Sequence, residues 1–424
     1  MADFDQVDFF SDPAVSEDPY PYFEHLRAQC PVTTLPHHGV VAISGWDEAS
    51  DVYRDPELFS SCNSVIGPFA SFPVPLVGDD VGDIIDTYRD QLPMNEHMVT
   101  MDPPAHTRER ALLMRLITPK RLQENEDFMW TLADRQLDEF VADGRCEFIG
   151  AYGQPFAMLV VADLLGVPEA EHERFRQGFG LSANPGELGD DLSEMQMNAL
   201  GWLDAYFADY IEERRREPRG DVLTELALAK YPDGSTPDVT AVVRTATFLF
   251  AAGQETTARL LSSALKTIGD RPEIQQQLRD NRELVPAFIE EMLRLESPIK
   301  GTFRLAKVAT TIAGTEIPAG STVMVLPSAA NRDPREFESP DELKLDRKNA
   351  RQHIAFGHGI HTCAGAPLAR AEAIVSVQRL FDRTEDIRIS EVHHGPAGDR
   401  HWQYSPTWML RGLDELHLEF TPIG

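Results

Sequence analysis

A ten-residue stretch, Phe356 to Gly365, constrains this chain more than any other. It reads Phe-Gly-His-Gly-Ile-His-Thr-Cys-Ala-Gly, so that glycines surround a single cysteine, Cys363. Glycines at 357 and 359 permit a tight turn with positive φ and allow the backbone to approach a large flat partner closely. A helix-compatible run begins at Ala366, and its first N–H groups and its dipole are expected to favour the thiolate form of the cysteine.

The setting of Cys363 is unsuited to a zinc site, because structural zinc takes four Cys or His ligands and catalytic zinc takes three. The sequence places no second cysteine and no chelating pair of histidines beside it. The pattern suits a single axial ligand to haem iron. The alternative is a structural loop with a buried, inert cysteine, which is the commoner role of a lone cysteine.

A second constraint is one long helix predicted from Thr236 to Ile268, which is apolar from Ala241 to Ala252. Its middle holds Gly253-Gln254-Glu255-Thr256-Thr257, and polar groups inside a buried helix are costly unless they find partners. The Thr256 hydroxyl can donate to the carbonyl of Ala252, four residues earlier. The structural alternative is a kinked core helix with a solvated polar notch.

These stretches resemble motifs of the cytochrome P450 superfamily. Residues 356–365 match the haem-loop pattern Phe-x-x-Gly-x-x-x-Cys-x-Gly, and residues 252–257 match the oxygen-binding groove pattern (Ala/Gly)-Gly-x-(Asp/Glu)-Thr-(Thr/Ser). Glu291 and Arg294 match the Glu-x-x-Arg pair of the family. A further helix after Asp102-Pro103-Pro104 carries His106 and Arg110 on one face. The four motifs occur in the family's order, so the resemblance covers nearly the whole chain.

The resemblance implies a mainly α fold with small β-sheets, in which haem b lies between the long central helix and the cysteine loop. We expect a single haem domain over residues 1–424, without a fused reductase. The net charge of -30 argues against nucleic acid and anionic membranes as partners. The four cysteines are scattered and no apolar run reaches the roughly 18 residues of a membrane span, so we expect a cytoplasmic bacterial protein.

The resemblance also assigns roles to residues by position. Cys363 is implied as the iron ligand, with Phe356 packed near its sulfur. Glu255 and Thr256 resemble the acid–alcohol pair that delivers protons during dioxygen activation. The haem propionates are implied to bind His106, Arg110, Arg304 and His361.

The Glu291–Arg294 pair is expected to recruit a third, basic residue. Arg332 and Arg347 both qualify, and the sequence does not choose between them. The family's frequent arginine two residues after a proline in this region is replaced here by Glu342.

We expect electrons to arrive from a separate ferredoxin and its NAD(P)H-dependent reductase, because the chain has no glycine-rich nucleotide loop and no cysteine cluster. A basic helix from Arg108 to Arg121 is a candidate dock for an acidic ferredoxin. The alternative is an incidental, solvated basic face. The residues expected at the dock are Arg108, Arg115, Lys120 and Arg121.

The substrate side is expected to be apolar. A proline-punctuated segment from Cys62 to Met101 is predicted as a lid, and the predicted contacts are Phe248, Ala251, Ala252 and Thr302. Such a pocket favours a terpenoid, norisoprenoid or steroid-like substrate. Lys300 leaves two alternatives: an inward ammonium would favour fatty or aromatic acids, whereas lysines in such positions are more often exposed. A haem-thiolate protein that only binds ligands is a further alternative.

The remaining pattern predicts the other elements of the fold. Helices are expected over 18–30, 46–55, 124–142, 151–165, 170–179, 192–216 and 284–296, and strands over 32–44, 303–325 and 387–420. The helices that flank a glycine-rich break at Asn184 to Gly189 resemble the family's moving roof over the active site, and an ordinary helical hairpin is the alternative.

Overall fold

A computed structural model describes residues 4–172 and 201–423 of the 424-residue chain. Within these ranges helices predominate, and we number them in chain order. They are α1 (Pro13–Glu17), α2 (Tyr20–Gln29), α3 (Trp46–Arg54), α4 (Gly82–Tyr88), α5 (Ala105–Leu116), α6 (Pro119–Asp138), α7 (Gln154–Leu164), α8 (Gly201–Arg216), α9 (Val222–Ala227), α10 (Val239–Asp270), α11 (Pro272–Asp280), α12 (Val285–Leu295), α13 (Pro327–Ala330), α14 (Ala366–Arg383) and α15 (Glu391–His394).

The 32-residue helix α10 runs through the main hydrophobic core. The Asp238 side chain caps its first turn by accepting from the N–H of Ala241. Helices α5, α7, α8 and α14 all pack against α10, which explains why apolar residues occur on more than one face of it. The long helix predicted from the sequence is therefore confirmed, and it positions the residues of its polar middle inside the fold.

The strands form three small sheets. The five-stranded sheet has the order β1-β2-β8-β5-β3, a three-stranded sheet has the order β4-β10-β9, and β6 and β7 pair alone. Their bounds are β1 (Val32–Thr34), β2 (Val41–Ile43), β3 (Phe59–Ser60), β4 (Arg145–Glu147), β5 (Thr302–Ala306), β6 (Thr310–Ile312), β7 (Thr315–Ile317), β8 (Thr322–Val325), β9 (Thr384–Ile389) and β10 (His417–Pro422).

Most predicted elements are found, and three expectations were wrong in detail. The predicted lid contains the helix α4, which lies in its longest run without proline, residues 76–92, and has a buried Ile85. The basic stretch is not one helix, since α5 ends at Leu116 and Thr118 caps α6. The C-terminal stretch is not continuous strand, because α15 and irregular chain separate β9 from β10.

Other predictions fall partly outside the described residues. The helix expected over 170–179, the glycine-rich break at Asn184 to Gly189 and the start of the helix expected over 192–216 are among them. The described end of the latter, α8, is helical as expected. No helix within 4–172 or 201–423 has the length and apolar character that crossing a membrane requires.

Candidate active site

The cysteine loop folds through its glycines. Gly357 and Gly359 have φ of 67° and 70°, in the region that glycine adopts without strain. The N–H of Cys363 donates to the carbonyl of Phe356 at 2.9 Å and closes the loop. Gly359 also lies so close to α3 that a Cβ atom there would be 2.2 Å from the carbonyl oxygen of Tyr53. The predicted tight turn is thus confirmed. The close approach of the Tyr53 backbone explains why position 359 is a glycine.

The sulfur of Cys363 lies before α14, where the backbone N–H groups of Gly365 and Ala366 point at it. Burial is nevertheless the largest influence and raises the pKa of this thiol, while those N–H groups, Arg110 and Arg370 lower it. The helix start thus favours the thiolate as expected, but burial outweighs this effect. Cys363 is exposed to solvent at its surface, although protein surrounds it at longer range.

Phe356 is held by a network that the sequence analysis missed. The guanidinium of Arg370 lies 4.7 Å from the centre of the Phe356 ring. Its Nε and Nη2 donate to the buried carboxylate of Glu290 at 2.7 and 3.0 Å, and His353 Nε2 lies 3.1 Å from the same group. These contacts lower the pKa of Glu290 to about 2 although burial raises it. The available signal was the position of Arg370 one helical turn after Ala366.

The Glu291–Arg294 pair is fully buried, as the resemblance implied. Arg294 Nε donates to Glu291 Oε1 at 2.7 Å, and Arg347 Nε donates to the same oxygen at 2.9 Å. Arg347 is therefore the third member, whereas Arg332 bonds Asp341 and the carbonyl of Leu295. The backbone carbonyl of Glu342 accepts from both Arg294 and Arg347. This contact uses the backbone of residue 342, and every residue has a backbone carbonyl. The network therefore forms with glutamate at position 342, where the family often has arginine.

Two of the predicted propionate contacts are neighbouring histidines. The rings of His106 and His361 lie 4.0 Å apart between their centres. Burial is the main cause that lowers the pKa of His106 to about 4 and of His361 to about 2. Neither ring nitrogen of His106, nor Nε2 of His361, has a hydrogen-bond partner among the described residues.

The other two predicted contacts are arginines without an acidic partner. Arg304 is 5% exposed, stacks 5.3 Å from the Tyr53 ring centre, and donates to the carbonyl of Phe303. Arg110 donates to the carbonyl of Thr362, in the cysteine loop, at 2.6 Å. Within the described part of the chain no carboxylate lies within ion-pair distance of either guanidinium. Buried donors and cations of this kind require anions, so these residues fit the two propionates of a haem.

The polar middle of α10 is partly exposed to solvent, although the residues on either side of it are mostly buried. Ala252 is exposed and residues 253–256 are partly exposed, whereas Leu249, Phe250 and Thr257 are buried. The hydroxyl of Thr256 donates to the carbonyl of Ala252 at 2.9 Å, as predicted. Ala252 on α10 and Cys363 in the cysteine loop are both exposed, which agrees with the predicted haem position between these two segments.

Glu255 has a partner that the sequence analysis missed. Arg259, one turn later on α10, donates from Nε to Oε1 of Glu255 at 2.9 Å and from Nη2 to the same oxygen. Arg259 is 6% exposed and its Nη1 continues to Ser405 Oγ at 3.3 Å. The i,i+4 spacing of acid and arginine was the available signal.

The predicted substrate contacts differ in their exposure and in the protein groups that they contact. Phe248 packs against His97 with ring centres 5.8 Å apart, and Ala251 is partly exposed beside the open Ala252. Thr302 Oγ1 lies 2.8 Å from the hydroxyl of Tyr53, so its hydroxyl is engaged by the protein.

The expectation that Lys300 is exposed was wrong. Its side chain is 1% exposed, and Nζ donates to the carbonyl of Thr407 and to the carbonyl and hydroxyl of Ser16. The ammonium group therefore already donates its hydrogen bonds to protein oxygens. Burial lowers the pKa of Lys300 to about 7.

The basic residues of α5 and α6 are only partly free. Arg115 donates to the carbonyl of Lys230, and Arg121 forms an ion pair with Glu225. Arg108 stacks 4.7 Å from the ring centre of Tyr231 and Lys120 lies near Glu124. Arg108, Arg115 and Lys120 are exposed, whereas Arg121 is half-buried.

Comparison with known proteins places these features in a family. The family model described as Cytochrome P450 matches residues 178–383. Cytochrome P450 144 of Mycobacterium tuberculosis is 38% identical over 406 residues, which are 95% of this chain and 89% of that protein.

Solved structures give the same result. Mycobacterium marinum cytochrome P450 CYP150A6, in its substrate-free form, is 57% identical with a TM-score of 0.94, over 99% of this chain and 100% of that one. CYP109E1 of Bacillus megaterium in complex with corticosterone is 27% identical with a TM-score of 0.80, over 96% of this chain and 99% of that one.

Proposed function

The chain belongs to the cytochrome P450 family of bacterial monooxygenases, and on that premise we propose that it inserts one oxygen atom from O2 into a C–H bond of a compact hydrophobic molecule. The proposed substrates are terpenoid, norisoprenoid or steroid-like. The observation that carries this proposal is the open apolar stretch of α10 at Ala251 and Ala252, with Phe248 one turn away. Small apolar side chains leave room for a ring system and offer it no charged partner.

We propose that the site residues divide the work as follows. Members of this family bind haem b, which supplies the activation of dioxygen when bound. Cys363 Sγ is the proposed iron ligand, and the metal stabilises the thiolate that burial alone disfavours. Arg304 and Arg110 neutralise the propionates, and His106 and His361 donate hydrogen bonds to them. Each group thereby gains the partner that it lacks within the protein.

The proton chemistry is assigned to α10. Monooxygenation consumes two protons and two electrons for each O2, and leaves the second oxygen atom as water. We propose that Glu255 carries protons and that the Thr256 hydroxyl, fixed on the Ala252 carbonyl, orders the water that receives them. Thr256→Ala is expected to keep electron consumption but to divert it from product to hydrogen peroxide. Unchanged coupling would contradict this assignment.

An acid substrate is the second candidate. P450BioI, which is 27% identical to this chain, has been solved with an acyl carrier protein bearing hexadec-9Z-enoic acid, whereas CYP109E1 has been solved with corticosterone. An inward Lys300 that holds a carboxylate was one of the two alternatives for this residue. Since its Nζ already has three protein acceptors, we favour neutral cyclic substrates over acids.

The test is an absorbance titration of the ferric protein with steroids, terpenoids, fatty acids and aromatic acids. Neutral cyclic compounds are expected to displace the iron-bound water and shift the spin state from low to high. Lys300→Ala is expected to leave the affinity of any acid unchanged. A spin shift with acids alone, lost in Lys300→Ala, would replace the proposal with the acid hydroxylase.

We also propose that a ferredoxin supplies the electrons and binds at the exposed residues Arg108, Arg115 and Lys120. Three exposed cations on two adjoining helices complement an acidic partner, although Arg108 also contacts Tyr231 and Glu109, and Lys120 lies near Glu124. Arg121 contributes little, because Glu225 neutralises it. Arg115→Glu and Lys120→Glu are expected to raise the KM for ferredoxin and to weaken its salt dependence. The exposed Arg388, in β9, provides the matched control Arg388→Glu.

A further inference from the structure

A polar cavity lies behind the acid of the proposed proton pair. Its volume is about 220 Å³, and its polar lining comprises Gln154, Glu255, Arg259, Ser262, Ser405 and Asp414. A space of that size holds several water molecules, and polar walls favour their ordering. The cavity therefore joins α10 to the C-terminal segment that contains Ser405 and Asp414.

A chain of hydrogen bonds follows the same direction. Arg259 binds Glu255 at one end, and its Nη1 donates to Ser405 Oγ at 3.3 Å. The Ser405 hydroxyl donates to Asp414 Oδ1 at 2.5 Å. Ser405 and Arg259 are buried, whereas Asp414 is exposed. The chain thus leads from Glu255 on α10, through two buried side chains, to a carboxylate in contact with solvent.

The fold makes room for Arg259 at this place. A Cβ atom on Gly412 would lie 2.5 Å from Cγ and 2.7 Å from Nη1 of Arg259. The N–H of Ser405 donates to the carbonyl of Gly412 at 3.0 Å, which holds that segment against the arginine. Glycine at 412 is therefore required for the arginine to reach both Glu255 and Ser405.

We propose that this cavity is the proton inlet of the enzyme, with Asp414 as its solvent end and Arg259 as the positioning residue that aims Glu255 at the cavity water. This inference rests on the proposed role of Glu255 and Thr256. A guanidinium does not give up its proton, so protons travel through water and the Ser405 hydroxyl past Arg259. Glu255 takes them from the cavity and passes them to water held by the hydroxyl of Thr256, the next residue on α10.

The test compares variants along the inlet in the haem-loaded protein. Asp414→Asn, Arg259→Gln and Gly412→Ala are each expected to slow product formation about tenfold and to enlarge the solvent deuterium isotope effect about twofold. Arg259→Lys keeps a cationic donor and is expected to restore most of the rate. Glu415→Gln changes the neighbouring acid, which binds His417 instead of facing the cavity, and is the matched control.

A structural measurement tests the inlet independently of turnover. A crystal structure of the haem-loaded protein is expected to show ordered water molecules linking Glu255 with Asp414. A dry cavity would overturn the inlet. Gly412→Ala adds one carbon and removes no polar group, so it tests the position of Arg259 even where Arg259→Gln fails to fold.

Failure of the inlet and failure of the proposed function give different results. If Glu255→Gln and Thr256→Ala uncouple the enzyme while the three cavity variants behave as the unmodified protein does, the inlet is wrong and the proton pair stands. If Glu255→Gln and Thr256→Ala also leave coupling and isotope effect unchanged, the pair itself is wrong, and the inlet falls with it.

Discussion

Nε of Arg347 donates to Oε1 of Glu291 at 2.9 Å, across 56 residues of sequence, in a site where Glu291 is fully buried. Loss of Arg347 would leave the buried Glu291 paired with Arg294 alone, and a hydrogen bond to a charged group contributes about 1.5–3 kcal/mol. Arg347→Gln is therefore expected to lower the free energy of unfolding by about that amount in a denaturant titration. Arg332→Gln is the matched variant and is expected to cost less, because Arg332 binds the exposed carboxylate of Asp341. Equal losses would contradict this assignment.

A second prediction concerns the close approach of the cysteine loop to α3. Gly359→Ala would bring a Cβ atom to 2.2 Å from the Tyr53 carbonyl and must displace the loop. Gly314→Ala is the control, because Gly314 has φ of 82° but nothing within 4 Å of an added Cβ. The control costs only backbone strain, about 1–2 kcal/mol. We expect Gly359→Ala to cost clearly more in thermal unfolding and to reduce haem retention, and equal costs would contradict the steric argument.

A third prediction concerns Arg370, whose guanidinium lies over the ring of Phe356. A positive charge near the cysteine sulfur favours the electron-rich ferrous state, so Arg370→Gln is expected to lower the reduction potential of the haem. We expect the ferrous-to-ferric ratio at fixed potential to fall about threefold to tenfold, where tenfold is 59 mV for one electron. Arg379→Gln is the control, since Arg379 lies on the same helix, stacks over Trp130 and pairs with Asp134. A similar shift in both variants would show that the effect is not local.

The fourth prediction is a pH dependence. The pKa of Lys300 falls from 10.5 to about 7 on folding, because burial disfavours its charge. Between these values the unfolded chain binds a proton that the folded chain does not, so the free energy of unfolding rises with pH by up to ~1.4 kcal/mol per unit. Lys300→Met is expected to remove this component from denaturant titrations between pH 7 and 10. The exposed Lys348 gives the control Lys348→Met, which should keep the slope.

The sequence predicted what depends on local spacing. The loop around Cys363 and the long helix with its polar middle are set by glycine conformation and helical period, so they could be found without coordinates. Helical period also placed Glu291 and Arg294 on one face, but only the family resemblance indicated that the pair is buried. The hydrogen bond from Thr256 to Ala252 is of the same kind, because donor and acceptor are four residues apart.

What could not be predicted depends on contacts between distant segments. The choice of Arg347 over Arg332 is a matter of which loop reaches Glu291, and both arginines have the same chemistry. The position of Lys300 was wrong because its acceptors belong to Ser16 and Thr407, 284 and 107 residues away. The raised pKa of Cys363 has a similar origin, since burial is a property of the assembled fold.

The bonds of Lys300 also have a consequence for how the protein folds. Ser16, Lys300 and Thr407 meet at one ammonium group although 284 and 107 residues separate Lys300 from its two partners, and Arg411 donates to the carbonyl of Glu17 nearby. Contacts at such sequence separation form slowly, because a long loop must close before they are made. The junction therefore forms late in folding and holds three distant segments of the chain together.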